Sequence, residues 1–290
     1  MTPITLISAY VLDLILGDPQ WFPHPVRLVG RLISFLEHLF RRLGSSPLRL
    51  KVFGILLLLI VLCTTWAATY YLIRWAGHFH WAVGFACSVF FAYATLATRD
   101  LHVETREVLR ALVETIAENL SDGVLAPLFY LGLGGPPWAM TYKAINTLDS
   151  MVGYKNERHR DIGWASAKLD DAANFIPARL SGFLIAFSAL LLANSWRDSL
   201  RILWRDRRNH ESPNSAWPEG AMAGALGVRL GGLNYYFGQP SVKPFIGDQK
   251  KDLELRDVEG AWKILYLSSF WMLLLSLLLI WIAAKILSLP

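Results

Sequence analysis

Cysteine is nearly absent. Only Cys63 and Cys87 occur in 290 residues, and both lie inside apolar runs, far from any cluster of His or Asp. That excludes a disulfide framework and a cysteine metal site, and leaves two small core hydrophobes. Nucleotide and metal signatures are missing too: there is no G-x-x-x-x-G-K-[ST], no G-x-G-x-x-G after a strand and no H-E-x-x-H. Any nucleotide is therefore held without a P-loop. The basic segments lack the motifs of a nucleic-acid binder, so no nucleic-acid partner is expected. The chain has no internal repeat and no low-complexity tract. Its first apolar stretch, ITLISAYVLDLIL, has no basic start and carries Asp13, which speaks against a cleavable signal peptide.

Apolar residues are what the chain has in abundance. Hydrophobic residues make up 54% and charged ones 18%. That is too apolar for an ordinary soluble domain and too charged for a bare bundle of spans. The fold class expected is all-α: a polytopic integral membrane protein with spanning helices, broken or re-entrant segments and helical cytoplasmic loops, forming one domain over 1–290. Spans are expected near 53–73, 81–98 and 264–284. Segments 4–16, 124–140 and 180–193 are short or broken. The second holds Gly-Gly-Pro-Pro, tolerated at membrane depth only where protein or a polar cavity surrounds it.

The net charge of +5 suits an anionic leaflet or anionic substrates. Of the 28 Lys and Arg, six fall in 17–52, nine in 99–179 and eleven in 195–263. These three polar loops should share the cytoplasmic side, with the short 74–80 connection outside. A lone crossing by 180–193 would then put one basic flank outside, so partial insertion of 124–140 and 180–193 is the favoured topology.

Five constellations stand out in the loops. GDPQWFPHPVR (17–27) is a rigid turn carrying Asp18, His24 and Arg27, or simply an interfacial turn anchored by Trp21 and Phe22. ENLSDG (118–123) puts Glu118, Asn119 and Asp122 at helical spacing, a set of oxygens suited to Mg²⁺. Its bland reading is a helix end stopped by Gly123. YKAINTLDSMV (142–152) is two-faced: Lys143, Asn146, Thr147 and Ser150 share one arc, with Asp149 at its margin. With Lys155, Asn156, Arg158 and Arg160 beyond it, this face is either an anion site or a solvated surface. KLDDAANFIPARL (168–180) places Asp170, Asp171 and Asn174 at i+3 and i+4 spacing beside an apolar run, flanked by Lys168 and Arg179. Acids near membrane depth are costly and favour function over a capping role. Finally, RDRRNHESPNSAWPEGAMAGALG (205–227) crowds Arg205, Asn209, His210, Ser212, Asn214, Trp217 and Glu219 around two prolines. With Asn234, Tyr235 and Tyr236 it suggests a polar pocket with aromatic walls, or a capped loop. Gly220, Gly224, Gly227 and Gly231 suggest close helix approach.

In order, GDPQWFPHPVRLVGRLI, ENLSDGVLAPLFY, YKAINTLDSMVGYKNERHRDIGWASAKLDDAANFIPARL and RDRRNHESPNSAWPEGAMAGALG resemble the CobD/CbiB family. These are the adenosylcobinamide-phosphate synthases of cobalamin biosynthesis. The resemblance runs from residue 10 to about residue 250. It implies an integral membrane ligase of the bacterial inner membrane, with its active loops facing the cytoplasm. The implied reaction is ATP-dependent: the free propionate of adenosylcobyric acid is joined to (R)-1-aminopropan-2-ol or its O-phosphate. ATP would turn the carboxylate into an acyl phosphate, since hydroxide is a poor leaving group. One departure is visible. The family's usual segment before ENxxDG is longer by about thirty residues, a length change that loops tolerate.

Under this resemblance the residues take candidate roles. Asp170, Asp171, Glu118, Asn119 and Asp122 would hold Mg²⁺. Lys143, Lys155, Arg158, Arg179 and Arg205 would face phosphates, and His24 or His210 would serve the amine as base. Asn146, Asp149, Asn174, Asn209, Ser212, Asn214 and Glu219 would contact substrate. Trp164, Trp217, Tyr235 and Tyr236 would wall a cavity for the broad corrin ring. Other membrane enzymes of cobalamin assembly are conceivable partners. Two further readings stay open: a Mg²⁺-dependent membrane prenyltransferase acting on a diphosphate, and a non-catalytic AmpE-like membrane sensor.

Overall fold

The computed structural model describes residues 2–16, 24–44, 46–96, 109–154, 156–236 and 239–287, without the side chains of 109, 110, 233–242 and 287. The chain is overwhelmingly helical. In order it forms α1 (Pro3–Leu16), α2 (Pro25–Leu43), α3 (Pro47–Phe79), α4 (Trp81–Tyr93) and α5 (Leu109–Asn119). A π-helical turn (Leu120–Leu125), α6 (Ala126–Val152), α7 (Trp164–Ala173), α8 (Phe175–Leu191), α9 (Trp196–Asp206) and α10 (Ala216–Leu226) follow. The hairpin strands β1 (Leu230–Tyr236) and β2 (Gln239–Ile246) precede α11 (Leu255–Leu287).

Helices α3 and α11 are long and apolar enough to cross a membrane, and α7 with α8 make a third crossing if the pair is one span broken at Asn174. At 1.5 Å per residue α3 is about 50 Å long, which exceeds the hydrocarbon core and leaves its ends in the interface. The apolar run at 81–98 behaves differently from the sequence expectation. Its helix α4 ends at Tyr93 after 13 residues, about 20 Å, in a turn at Ala94 and Thr95. The Gly-Gly-Pro-Pro break appears inside α6: Gly135 has φ 70° and ψ −162°, a conformation reserved for glycine, with Pro136 and Pro137 next.

Two compact units partition the chain. The first holds α1 to α4, residues 127–173 and the end of α11 from Leu275. In α2, Val29, Ile33, Leu36 and Phe40 recur at helical spacing and pack on Leu57, Leu58 and Val61 of α3. The apolar arc of 142–152 falls where its periodicity puts it, with Ala144, Leu148 and Val152 in the same cluster. Phe40 stacks on Phe53 at 5.2 Å. Two contacts need glycine. A Cβ on Gly54 would stand 2.1 Å from the Ile162 carbonyl, and one on Gly163 would stand 1.7 Å from that of Val152. The loop between α6 and α7 is thereby drawn tightly back on α6.

The second unit holds α5, the π turn, α8 to α10, the hairpin and α11 up to Leu274. Its centre is α10, every residue of which is buried. Small residues make this possible. A Cβ on Gly224 would meet the Asp198 carbonyl at 2.4 Å, and one on Gly220 the Leu203 Cα at 3.2 Å, so α9 crosses α10 in near backbone contact. Gly227 and Gly231, expected to serve close packing as well, serve backbone shape first: Gly227 ends α10 at φ 70° and Gly231 sits at φ 78° beside an irregularity in the hairpin. The hairpin itself is absent from the sequence reading. It is antiparallel, with Leu230 opposite Ile246 and Leu233 opposite Val242. Pro240 and Pro244 are tolerated because both strands of a two-stranded sheet are edges.

Candidate active site

In the first unit, α6 and α7 bring Asp149 within electrostatic reach of Asp171. Lys143 and Asp149 lie six residues apart on α6, and Asp170 and Asp171 are adjacent on α7. The Asp149 carboxyl is pushed above its usual range, first by burial and then by the negative charge of Asp171. Tyr130 shapes the floor. Its ring stacks on buried Tyr142 at 5.0 Å, its hydroxyl donates to the Ala173 carbonyl at 2.9 Å, and it feels the charge of Asp170. Thr147 and Ser150 donate back to their own helix, to the carbonyls of Lys143 and Thr147. Asn146 is half-buried on the same helix.

These residues fit a phosphate-borne magnesium better than a resident ion. Among the described residues no three His, Cys, Asp or Glu side chains converge tightly enough to hold a metal unaided. Mg²⁺ asks for only one or two carboxylates, because water and substrate phosphates complete its octahedron. Burial, and after it the charge of Asp171, disfavours the charged form of Asp149.

Other parts of the same motif lie elsewhere. Arg158 is exposed and pairs with Glu37 at 3.7 Å, while its carbonyl accepts from Arg41 at 2.7 Å. Glu37, not singled out from sequence, also takes Arg41 and faces His159 at 3.5 Å. His24 caps α2, its Nδ1 accepting from the Val26 amide at 3.2 Å. Asp18, Trp21, Phe22 and Lys155 lie outside the described residues. Trp164 opens α7 with an exposed side chain. The first unit also contains an apolar pocket of about 340 Å³, lined by Leu28, Leu32, Thr65, Thr69, Phe91 and Met140 among others. Among the described residues no titratable group lines it.

The second unit gathers most of the 205–227 constellation. Arg179 of α8 lies between aromatic rings, its guanidinium carbon 3.4 Å from the Phe175 centroid and 4.8 Å from that of Trp217. One of its nitrogens donates to Asn214 Oδ1 at 3.1 Å. A planar cation held this way keeps its remaining N–H groups in one plane. The loop before α10 is built by its own polar groups: His210 Nδ1 accepts from the Ser212 amide at 3.0 Å, and Ser212 Oγ from the Asn214 amide at 3.2 Å. Burial pushes the His210 imidazole below its usual range, against the charge of Glu118. Asn209 donates to the Phe245 carbonyl at 3.3 Å. Arg205 is engaged by two carboxylates, Asp206 and Asp248, both at 2.7 Å, and Arg201 also reaches Asp248, at 2.8 Å. Asp206 in turn accepts from the Gly247 amide at 2.8 Å, tying α9 to the segment after β2.

Glu118 ends α5, facing the loop, and accepts from Ser215 Oγ at 3.4 Å. Asn119 follows it, and Asp122 falls in the π turn, so the helix runs on through Gly123 instead of stopping there. Glu118 and Asp122 belong to the second unit, Asp170 and Asp171 to the first, and Asn174 stands buried just before α8. Tyr235 lies in β1. Two residues join the set that sequence reasoning passed over. Glu114, one turn before Glu118, accepts from the Gly231 amide at 2.8 Å and faces Lys243 at 3.5 Å. Its i, i+4 spacing to Glu118 was the available signal. Lys243 had none, since its place depends on the hairpin.

A family model for the CobD/Cbib protein matches residues 6–112 and 102–265. The cobalamin biosynthesis protein CbiB of Salmonella typhimurium is 42% identical over 93% of this chain and 94% of its own length. The CobD proteins of Geobacter metallireducens and Klebsiella pneumoniae are 45% and 41% identical, covering 90% and 93% of this chain and 91% and 94% of theirs. The Salmonella alignment extends over 302 positions, more than the whole 290 residues here, and the two family-model matches overlap at 102–112. Both agree with a segment before ENxxDG that is shorter in this chain. No solved structure matches it. The four motifs thus stand in a chain that belongs to the CobD/CbiB family.

Proposed function

We propose that this membrane protein acts in cobalamin biosynthesis as an ATP-dependent amide ligase. It would join the propionate of adenosylcobyric acid to (R)-1-aminopropan-2-ol or its O-phosphate, giving adenosylcobinamide or its phosphate. The observation that carries this reading is the match, over nine-tenths of the chain, to proteins named for cobalamin biosynthesis. Its bacterial relatives favour an inner-membrane location, and the basic loops favour a cytoplasmic face for the chemistry. Other membrane enzymes of the same assembly are candidate partners.

When bound, ATP with Mg²⁺ would supply the activation of the carboxylate, with Asp170 and Asp171 as the carboxylates that would hold the ion. The residues do the rest. Asp170 and Asp171 offer the carboxylates that a phosphate-bound ion needs, and Asp149 stands ready as a third. Lys143 supplies a point charge for a phosphate. Arg179, held between Phe175 and Trp217, offers a planar fork for a phosphate or carboxylate. His210, kept neutral by burial, suits the role of base toward an amine.

The test is reconstitution. Full-length protein in lipid nanodiscs, given adenosylcobyric acid, ATP, Mg²⁺ and aminopropanol phosphate, should release ADP and an amidated corrinoid in equal amounts. No ADP under varied Mg²⁺ and lipid, with turnover of a prenyl diphosphate instead, overturns the reading.

A further inference from the structure

Helix α9 turns outward a face that its packing does not need. Its inner side is complete: Ser199, Ile202, Leu203 and Asp206 are buried, and Ser199 Oγ donates to the Ala221 carbonyl of α10 at 2.8 Å. Its outer side carries two rows, offset by one residue. Trp196, Leu200 and Trp204 make one row at i, i+4 and i+8, and exposed Arg197, Arg201 and Arg205 make the other. Trp204 is 58% exposed. It does not stand alone. Its ring lies 6.1 Å from that of Trp217, and Trp217 lies 6.4 Å from Phe183 of α8. From Phe183 the exposed apolar surface runs on along α8 through Phe187 and Leu190. A contiguous surface of this kind marks a contact with a partner or a membrane. Helix α8 belongs to the pair that makes a third crossing if it is one broken span.

The arginines here are of two kinds. Arg201 and Arg205 are matched by Asp198, Asp206 and Asp248. Arg197 and Arg207 have no carboxylate partner among the described residues. They rest on tryptophan instead. The Arg197 guanidinium carbon is 5.4 Å from the Trp196 centroid, and that of Arg207 is 4.4 Å from the Trp204 centroid. Arg207 also donates to the Trp204 carbonyl. Stacking restrains each guanidinium without neutralising it, so its charge stays available.

We propose that this face of α9 sits among lipid headgroups, where Arg197 and Arg207 hold the phosphates of anionic phospholipids. Uncovered hydrocarbon on α8, then a rim of tryptophan, then guanidinium groups is the order in which a bilayer passes from acyl chain to headgroup. A partner that fits must offer hydrocarbon to Phe183 and Phe187 and negative charge to the two unmatched arginines. An anionic phospholipid offers both, whereas a free phosphate offers only the charge. The inference is independent of the ligase reading.

The experiment is electron spin resonance on full-length protein in phosphatidylcholine nanodiscs, with spin-labelled phosphatidylglycerol or spin-labelled phosphatidylcholine as the probe. Wild type should immobilise the anionic probe about fivefold more strongly, the scale of one basic residue beside a charged membrane surface. In about 1 M salt, where the screening length is about 3 Å, the preference should shrink below about twofold. Arg197→Gln with Arg207→Gln should cause the same loss at ordinary salt and leave the phosphatidylcholine probe unchanged. A phosphatidylglycerol with a photoreactive headgroup should crosslink the wild type within 192–208. Equal immobilisation of the two probes, a double variant that keeps the preference, or crosslinks confined to other segments each overturn the proposal. So does loss of the preference to inorganic phosphate at constant ionic strength, which would mark a free-phosphate site. The wild-type preference and crosslink map decide even if the double variant fails to fold.

Discussion

The two acid clusters of this protein differ in how they are made. In the first unit Asp149, Asp170 and Asp171 come from two helices that the short 153–163 loop folds onto each other, and Lys143 belongs to the same helical face. In the second, Glu114 and Glu219 are buried, with half-buried Glu118 nearby and Lys243 of the hairpin 3.5 Å from Glu114. In the first, half-buried Asp149 is pushed up first by burial and then by the charge of Asp171. In the second, fully buried Glu219 is pushed toward its protonated form, first by burial and then by the charges of Glu118 and Glu114. The contrast separates two environments, a half-buried pair of helices and a fully buried glutamate, although both read as paired acids in the sequence.

Breaking the first cluster should have the largest effect. Asp171→Asn is expected to lower corrinoid-dependent ADP release by roughly 10³-fold, the scale of losing a transition-state charge contact. ADP release within tenfold of wild type would mean that this acid does not serve the phosphoryl group. Breaking the second cluster should instead change stability with pH. Buried Glu219 is pushed up to about 8 from 4.5, so the folded chain holds its proton more tightly than the unfolded one. Wild-type stability then falls as pH rises from 4.5 to 8, by on the order of 5 kcal/mol from this group alone, and no further above. Glu219→Gln removes that slope, which a set of melting curves across this range would detect.

Gly224→Ala tests the scaffold of the second cluster. Its Cβ would press the Asp198 carbonyl at 2.4 Å. The expected cost is about 1–3 kcal/mol, seen as a lower melting temperature at unchanged KM if the protein is assayed below its transition. Arg179→Lys keeps the charge and loses the stacking and the fork; the KM for one substrate should rise about tenfold with kcat little changed. Arg158→Ala should do least. Its side chain is 70% exposed and its pairing with Glu37 spans 3.7 Å, so KM should move by less than about twofold. A larger shift would restore Arg158 to the substrate site.

Much of this could be read from the chain, and the gaps have physical causes. Apolar periodicity placed the two faces of 142–152 and the buried side of α2, because a helix turns every residue by the same angle. The motifs from 205 to 227 did come together around α10. The hairpin escaped notice since LGGLNYY and QPSVKPFI carry glycine and proline where strand-forming residues are expected. Glu114 escaped with it, as its partners Gly231 and Lys243 are both in the hairpin. Gly227 and Gly231 looked like packing glycines because spacing does not reveal φ. Arg205 looked like a phosphate ligand, while its nearest anions, Asp206 and Asp248, are 1 and 43 positions away in the chain.

The sharing of α11 between the two units has a consequence for biosynthesis. Its end packs with α6: Ser276 Oγ donates to the Leu128 carbonyl at 2.8 Å, and a Cβ on Gly132 would stand 3.0 Å from the Ser276 Cα. Its earlier part packs with α8, where Ser188 and Ser268 share a hydrogen bond at 2.9 Å. Neither unit is a continuous stretch of chain, so neither can finish folding while the ribosome is still making α11. Until that helix emerges, the serine hydroxyls that will clasp α6 and α8 do not yet exist in the membrane, and insertion chaperones have an unfinished bundle to shelter.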